Sequence, residues 1–319
     1  MESGFVPNYF SYKKVDYPVF VRLGRAEYLE RVAVFRRHMF RKAAVLGTGL
    51  LGGSVALALR QKGLAERIVG TSRQETSRRL AVERGVLDEV FIETQKAIQG
   101  ADLVILASPV KTILADILNI SKHLRRGCVV TDVGSTKMAI VDAAEKCFPA
   151  HVLFAGAHPI AGSEKSGVLH ASADLLKGAV CVLTPTDKTN KVARDKVRQL
   201  WTTLGCDVRI MEPAKHDEAL TYVSHLPHMA AFALMRAVPE QYLPLASAGL
   251  RDTTRIAGSS PKMWSDICFS NYRNVLRSID EVVGSLSEIR KAVVDRDEQA
   301  LTAFLEQAKA RHLLLEKKE

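Results

Sequence analysis

The sequence predicts an α/β domain built on a parallel sheet, followed by an all-α domain. Three observations lead there. Strand-like and helix-like runs alternate from Arg41 to about Met211, the order that lays helices on both faces of a parallel sheet. A turn of G-x-G-x-x-G spacing closes the first of those strands. Beyond Pro213 only helical periodicity remains, in long runs rich in Ala, Leu and Val. A length of 319 residues suits two domains of about 150 residues each.

Residues 1–40 read as an N-terminal extension, poorly ordered and non-catalytic. They hold Gly4, Pro7, Pro18 and Gly24 and show no sustained period outside a short helical run, Ala26–Phe35. Glu2, Asp16, Glu27 and Glu30 weigh against a transit peptide. A start at Met39 is a third reading. Residues 41–212 form the predicted dinucleotide-binding domain. Its strands are Ala43–Leu46, Arg67–Thr71, Asp102–Ala107, Cys128–Asp132, Val152–Ala155, Ala179–Leu183 and Val208–Ile210. The run DLVILA is apolar throughout, as a strand buried on both faces must be. Helices are expected at Ser54–Gln61, Gln74–Arg84, Val110–Leu124 and Lys191–Leu204. Residues 213–319 form the helical domain, with runs Ala214–Val238, Met263–Val294 and Asp297–Leu315.

In the segment KAAVLGTGLLGGSV each glycine has a physical task. Gly47 allows the tight turn off the strand. Gly49 lets the backbone approach a pyrophosphate, and Gly52 lets the helix pack close to the sheet. A strand before and a helix after this turn make the domain Rossmann-type. Gly47, Thr48, Gly49, Leu50, Leu51 and Gly52 are therefore candidate cofactor ligands. Ser108 and Pro109, closing the DLVILA strand, would flank the nicotinamide. NAD-binding domains carry an acidic residue after the second strand. Here that place reads Gly70-Thr71-Ser72-Arg73. Ser72 and Arg73 thus join the candidates, and Arg73 favours NADP while leaving NAD open.

Ligands of such sheets bind outside the carboxyl ends of the strands. Ser135 and His158 fall there, on loops, and are candidate catalytic groups. The helical domain adds Ser224 and His228, four apart on one helix face, with Pro227 expected to kink that helix. His225 and His228 lack a third ligand of fitting spacing, so no metal is expected, and His225 reads as an ordinary core or surface histidine. Arg255 suits a carboxylate-bearing substrate, whereas Arg251 reads more simply as a surface charge.

Composition narrows the function further. The net charge is +10, and nine basic against four acidic residues in 1–42 account for half of it. No helix-turn-helix accompanies it, which argues against a nucleic-acid partner. The longest uncharged run, Ala43–Leu59, is shorter than the about 20 apolar residues that a membrane span needs. Five widely spaced cysteines without C-x-x-C point to a reducing, cytoplasmic setting.

GTGLLGGS, DVGSTK, GAHPIAGSEKSG, SHLPH and RDTTRIAGSSPKMW, in this order, resemble the prephenate/arogenate (cyclohexadienyl) dehydrogenase family of tyrosine biosynthesis, over about residues 41–310. The resemblance implies oxidative decarboxylation of prephenate or arogenate and a homodimer formed through the helical domain. It implies that His158 is the catalytic histidine, that Ser135 bonds the same substrate hydroxyl, and that Arg255 binds a substrate carboxylate. His228 and Ser224 match pocket positions; Glu164, Arg251 and Asp252 match an ionic network at the pocket mouth. The sequence departs from the family in lacking the acidic residue after the second strand. After Leu315 no room is left for a regulatory ACT domain, and no chorismate mutase segment is fused. Two other readings compete: another hydroxyacid-type dehydrogenase with a helical second domain, which would use a helical lysine, and a dinucleotide-sensing nucleic-acid binder.

Overall fold

The structure is a computed structural model that describes residues 38–162, 165 and 167–316. The extension 1–40, apart from its last three residues, and its run Ala26–Phe35 lie outside the described residues. So does Glu164.

Six parallel strands form the main sheet, in the order β3-β2-β1-β4-β5-β6. They are β1 (Phe40–Leu46), β2 (Ala65–Thr71), β3 (Glu89–Phe91), β4 (Leu103–Leu106), β5 (Val129–Asp132) and β6 (Leu153–Phe154). Helices α1 (Leu50–Gln61), α2 (Glu75–Glu83), α3 (Thr94–Ile98), α4 (Val110–Ile120) and α5 (Met138–Cys147) connect them. All four residues of β4 are fully buried, so the sheet is sandwiched, and deleting one such side chain to Ala would cost about 2–5 kcal/mol. The register pairs Leu46 with Thr71 and Leu106, and Leu106 with Asp132. The carboxyl ends of the central strands therefore finish in one row, and the loops after them share one edge.

The later strands depart from the expectation of a single parallel sheet. β7 (Gly156–Pro159), β8 (Val180–Thr184) and β9 (Asp207–Ile210) form a separate three-stranded sheet in which β7 runs antiparallel to β8. A single residue, Ala155, separates β6 from β7, too little for a parallel crossover, which needs a dozen or more. Helix α6 (Lys191–Thr203) connects β8 to β9. The Asn190 side chain caps it by accepting from Val192 N and Ala193 N.

The last strand ends at Ile210, and from Pro213 on every described element is helical. The helices are α7 (Pro213–Leu220), α8 (Leu226–Ala237), α9 (Ala248–Thr254), α10 (Pro261–Ser270), α11 (Tyr272–Asp295) and α12 (Glu298–Glu316). A π-helical turn, Thr221–His225, joins α7 to α8, directly before Pro227. Proline cannot donate to the turn behind it, and a wider turn accommodates the loss. The expected single helix Met263–Val294 is two helices, broken at Asn271. Asn271 is buried, and its side-chain amide donates to Asp217 O and Thr221 Oγ1. Along α11, Leu276, Ile279, Val283, Leu286 and Val293 recur at intervals of three, four and seven, and all are exposed.

Candidate active site

The glycine turn meets each of its steric requirements. Gly47 has φ +107°, and a Cβ there would lie 2.7 Å from the backbone of Ala107 and Ser108. A Cβ on Gly52 would lie 2.0 Å from Gly47 O, so no side chain fits between helix and strand. Gly49 faces open space and leads into α1 without a side-chain cap. The first N–H groups of α1 therefore await an acceptor, which is the provision a pyrophosphate requires. Thr48 is fixed by donating from Oγ1 to Thr71 O at 2.8 Å, and Ser108 Oγ donates to Leu46 O at 3.1 Å.

Two cavities open at this sheet edge. One, of about 460 Å³, runs from Gly49, Leu50 and Leu51 past Ser108 and Pro109 to Ser135 and His158. The other, of about 380 Å³, is walled by Ser224, His225, His228, Arg255 and Trp264. Ser135 and His158 line both. They stand where a ligand along the glycine turn would meet a second ligand held by the helical part.

His158 is not on a loop, as the sequence suggested, but within strand β7. Strand geometry gives its ring a fixed base, and the ring is 8% exposed. Its Nδ1 lies 2.9 Å from His216 Nε2, and His216 Nδ1 lies 2.8 Å from Asp217 Oδ1. Burial holds the His158 imidazole well below its ordinary pKa, helped by His216, Lys137 and His225. The imidazole is therefore neutral near pH 7. Burial also lowers His216, although the neighbouring Asp217 opposes the shift.

A fully buried ion pair, Lys137 with Asp132, underlies the strand. Lys137 Nζ donates to Ala157 O at 2.9 Å, and Asp132 Oδ1 accepts from Ala157 N at 3.1 Å. The residue before His158 is thus held on both sides. The sequence motif DVGSTK contains both partners, but only the fold reveals that they tie β5 to β7.

In the second cavity His228 stacks on Trp264, with ring centroids 3.7 Å apart, and its Nδ1 lies 2.9 Å from Ser224 O. Burial and the nearby Arg255 keep it from protonating readily. His225, which the sequence offers only as an ordinary core or surface residue, also lines this cavity; burial lowers its pKa to about 4. Asn271 Nδ2 approaches His225 Nδ1 at 3.3 Å. The π-helical turn supplies the signal that sequence reasoning lacked, since such turns gather at functional sites.

Arg251 and Asp252 are exposed and border neither cavity; Arg251 Nε donates to Ala246 O. Ser72 and Arg73 follow β2 at the row of strand ends, and Arg73 is exposed. The expected carboxylate is absent there, but α4 brings one nearby. Asp116 is buried, which pushes its carboxyl up to about 6, while Arg73 and Ser108 oppose the shift. Among the described residues no group of three or more His, Cys, Asp or Glu is placed to hold a metal ion. No described helix is long and apolar enough to cross a membrane.

Two family models match the chain: the nucleotide-binding domain of prephenate dehydrogenase over residues 55–210 and its dimerization domain over 212–307. Prephenate dehydrogenase of Bacillus subtilis is 35% identical over 270 residues, 82% of this chain and 73% of that protein. Cyclohexadienyl dehydrogenase of Zymomonas mobilis is 30% identical over 281 residues, 86% and 96% of the two. Among solved structures, prephenate dehydrogenase from A. aeolicus in complex with hydroxyphenyl propionate and NAD+ superposes with a TM-score of 0.79 at 34% identity. It covers 86% of this chain and 98% of its own. Synechocystis arogenate dehydrogenase gives a TM-score of 0.70 at 31% identity, covering 85% and 98%.

Proposed function

Because this chain belongs to the prephenate dehydrogenase family and is therefore an oxidoreductase served by a nicotinamide dinucleotide, we propose that it oxidatively decarboxylates prephenate, arogenate or both, in tyrosine biosynthesis. One observation carries the proposal: His158 and Ser135 line the cofactor cleft and the cavity of the helical part at once. The solved relatives named above are described with hydroxyphenyl propionate and NAD+ and as an arogenate dehydrogenase, in keeping with a ring substrate in that cavity.

The residues then divide the work. Gly47, Thr48, Gly49, Leu50, Leu51 and Gly52 would hold the pyrophosphate, and Ser108 and Pro109 the nicotinamide end. When bound, that cofactor supplies the hydride acceptor for the ring carbon bearing the 4-hydroxyl. His158, neutral and buried, accepts the hydroxyl proton as the hydride departs. Ser135 bonds the same oxygen. The ring carboxylate leaves as CO2, its bonding electrons complete the aromatic ring, and His158 returns the proton to the phenolic oxygen. Arg255 clamps a substrate carboxylate, and Ser224 and His228 orient the side chain. Glu164, Arg251 and Asp252 remain proposed as an ionic rim. Arg73 supports NADP over NAD.

We also propose a homodimer in which the exposed apolar stripe of α11 is covered by a second copy. Repeats of three and four residues form a seam of the kind helices bury against each other. A cytoplasmic setting agrees with five unpaired cysteines.

A steady-state assay crossing prephenate and arogenate with NAD and NADP tests the reading. Turnover of at least one pair is expected, and failure of all four would overturn it.

A further inference from the structure

We infer that His216 and Asp217 are positioning residues that dictate which nitrogen of His158 carries its proton. The inference rests on the proposed role of His158 as the base, and it explains how that base is made ready.

Asp217 is 2% exposed. Its Oδ1 accepts from Lys137 N at 2.6 Å and its Oδ2 from Met138 N at 3.0 Å. These are N–H groups at the N-terminus of α5, where a carboxylate is stabilised in its charged form. An ionised carboxylate only accepts hydrogen bonds. The 2.8 Å contact between Asp217 Oδ1 and His216 Nδ1 is therefore donated by His216.

His216 is fully buried and, when neutral, has a single N–H. With that proton on Nδ1, its Nε2 can only accept. The 2.9 Å contact to His158 Nδ1 must then be donated by His158. The proton of His158 is held on Nδ1, and Nε2 is left with its lone pair. Among the described residues nothing bonds that Nε2, and His158 lines both cavities. A histidine without such a partner distributes its proton between both nitrogens, and the molecules with Nε2–H could not accept the substrate proton there. Neither His216 nor Asp217 borders either cavity, so each acts through His158.

The anchor also joins the two parts of the molecule. Asp217 begins in α7, yet its carboxylate caps α5 of the sheet part. Its carbonyl accepts from Thr221 Oγ1 at 2.7 Å and Asn271 Nδ2 at 2.8 Å. The tautomer is consequently set by a group that is itself held from three elements.

The test uses the full chain with His216→Leu and His216→Gln. A glutamine carbonyl can accept at the place of the His216 Nε2; leucine cannot. Nitrogen-15 spectra of the imidazoles, with His158→Asn identifying the His158 signals, should show Nδ1 protonated and Nε2 bare in the unmodified protein and in His216→Gln. In His216→Leu that preference should be lost. The kcat should fall about 10- to 1,000-fold in His216→Leu with KM changed little, a wrong tautomer at a catalytic histidine costing up to roughly 10⁴. His216→Gln should recover most of the loss. A His158 protonated on Nε2 in the unmodified protein would overturn the inference, even if neither variant folds. So would a His216→Leu enzyme within twofold of the original. If the spectra show the expected tautomer but no substrate pair turns over, the proposed function fails and the tautomer control stands.

Discussion

The sheet part and the helical part bury their apolar residues in different ways. In the sheet part β1, β4 and β5 are covered on both faces by the chain itself, and their apolar side chains are almost wholly inaccessible. In the helical part α11 leaves Leu276, Val283, Leu286 and Val293 more than half exposed. The first is a finished core, whereas the second has an apolar seam that none of the described residues covers. The contrast teaches where each kind of residue belongs. The sheet part holds the turn, the strand and the proposed base, which need accurate placement. The helical part walls the second cavity and carries the stripe proposed to meet another copy.

Changes on the rigid side should have the largest effects. His158→Asn removes the base while keeping a polar group of similar shape, and kcat should drop by roughly 10²–10⁴ with cofactor affinity retained. An unchanged kcat would remove His158 from the mechanism and with it the reason for a rigid β7. Lys137→Met leaves Asp132 charged and buried without its partner. Chemical denaturation should show a loss of roughly 3–5 kcal/mol; a loss below about 1 kcal/mol would mean that the pair contributes no more than a surface contact.

Acid should act on both parts. His158, His216 and His225 are all held below their ordinary pKa. As pH falls below about 6.5 the unfolded chain takes up protons that the folded chain refuses. Stability should therefore decline from about pH 6.5 toward the His225 value of about 4. Replacing His225 by Gln should flatten that decline, and an identical slope would show that His225 does not contribute to it.

On the helical side, Leu286→Glu places a charge in the exposed seam. Sedimentation should show dissociation to monomers with the monomer fold intact. If the variant remains a dimer, the second copy binds elsewhere. The smallest effect is expected at the cofactor's far end. Arg73→Ala should raise the KM for NADP by about tenfold, the worth of one exposed charge-assisted contact, and leave NAD nearly unchanged. Equal changes for both would assign Arg73 no part in the choice.

Much of this was legible in the sequence because it was local. The glycine turn, the DLVILA strand and the shift to helices at Pro213 are each properties of a few consecutive residues, and each stands as expected. The glycines were legible because steric exclusion acts within one turn. Ser135, His158, Ser224, His228 and Arg255 were singled out from motifs, and the fold gathers all five around one cavity. Three things were not legible. The antiparallel β7 comes after a one-residue connection, Ala155, that read as the continuation of one strand. The role of His225 depends on a π-helical turn, and the nearness of Asp116 to Arg73 depends on how α4 lies against the row of strand ends.

By itself the sequence determined the order of elements, the cradle for a dinucleotide and the residue types at the site, since those depend on period, spacing and backbone freedom. Only the tertiary structure decided which groups meet. His158 and His216 are 58 positions apart, Lys137 and Asp217 are 80, and no local pattern encodes either pairing. The physical reason is that a proton's position in a buried imidazole is fixed by whichever acceptor the fold brings within 3 Å of it, and that acceptor comes from another element.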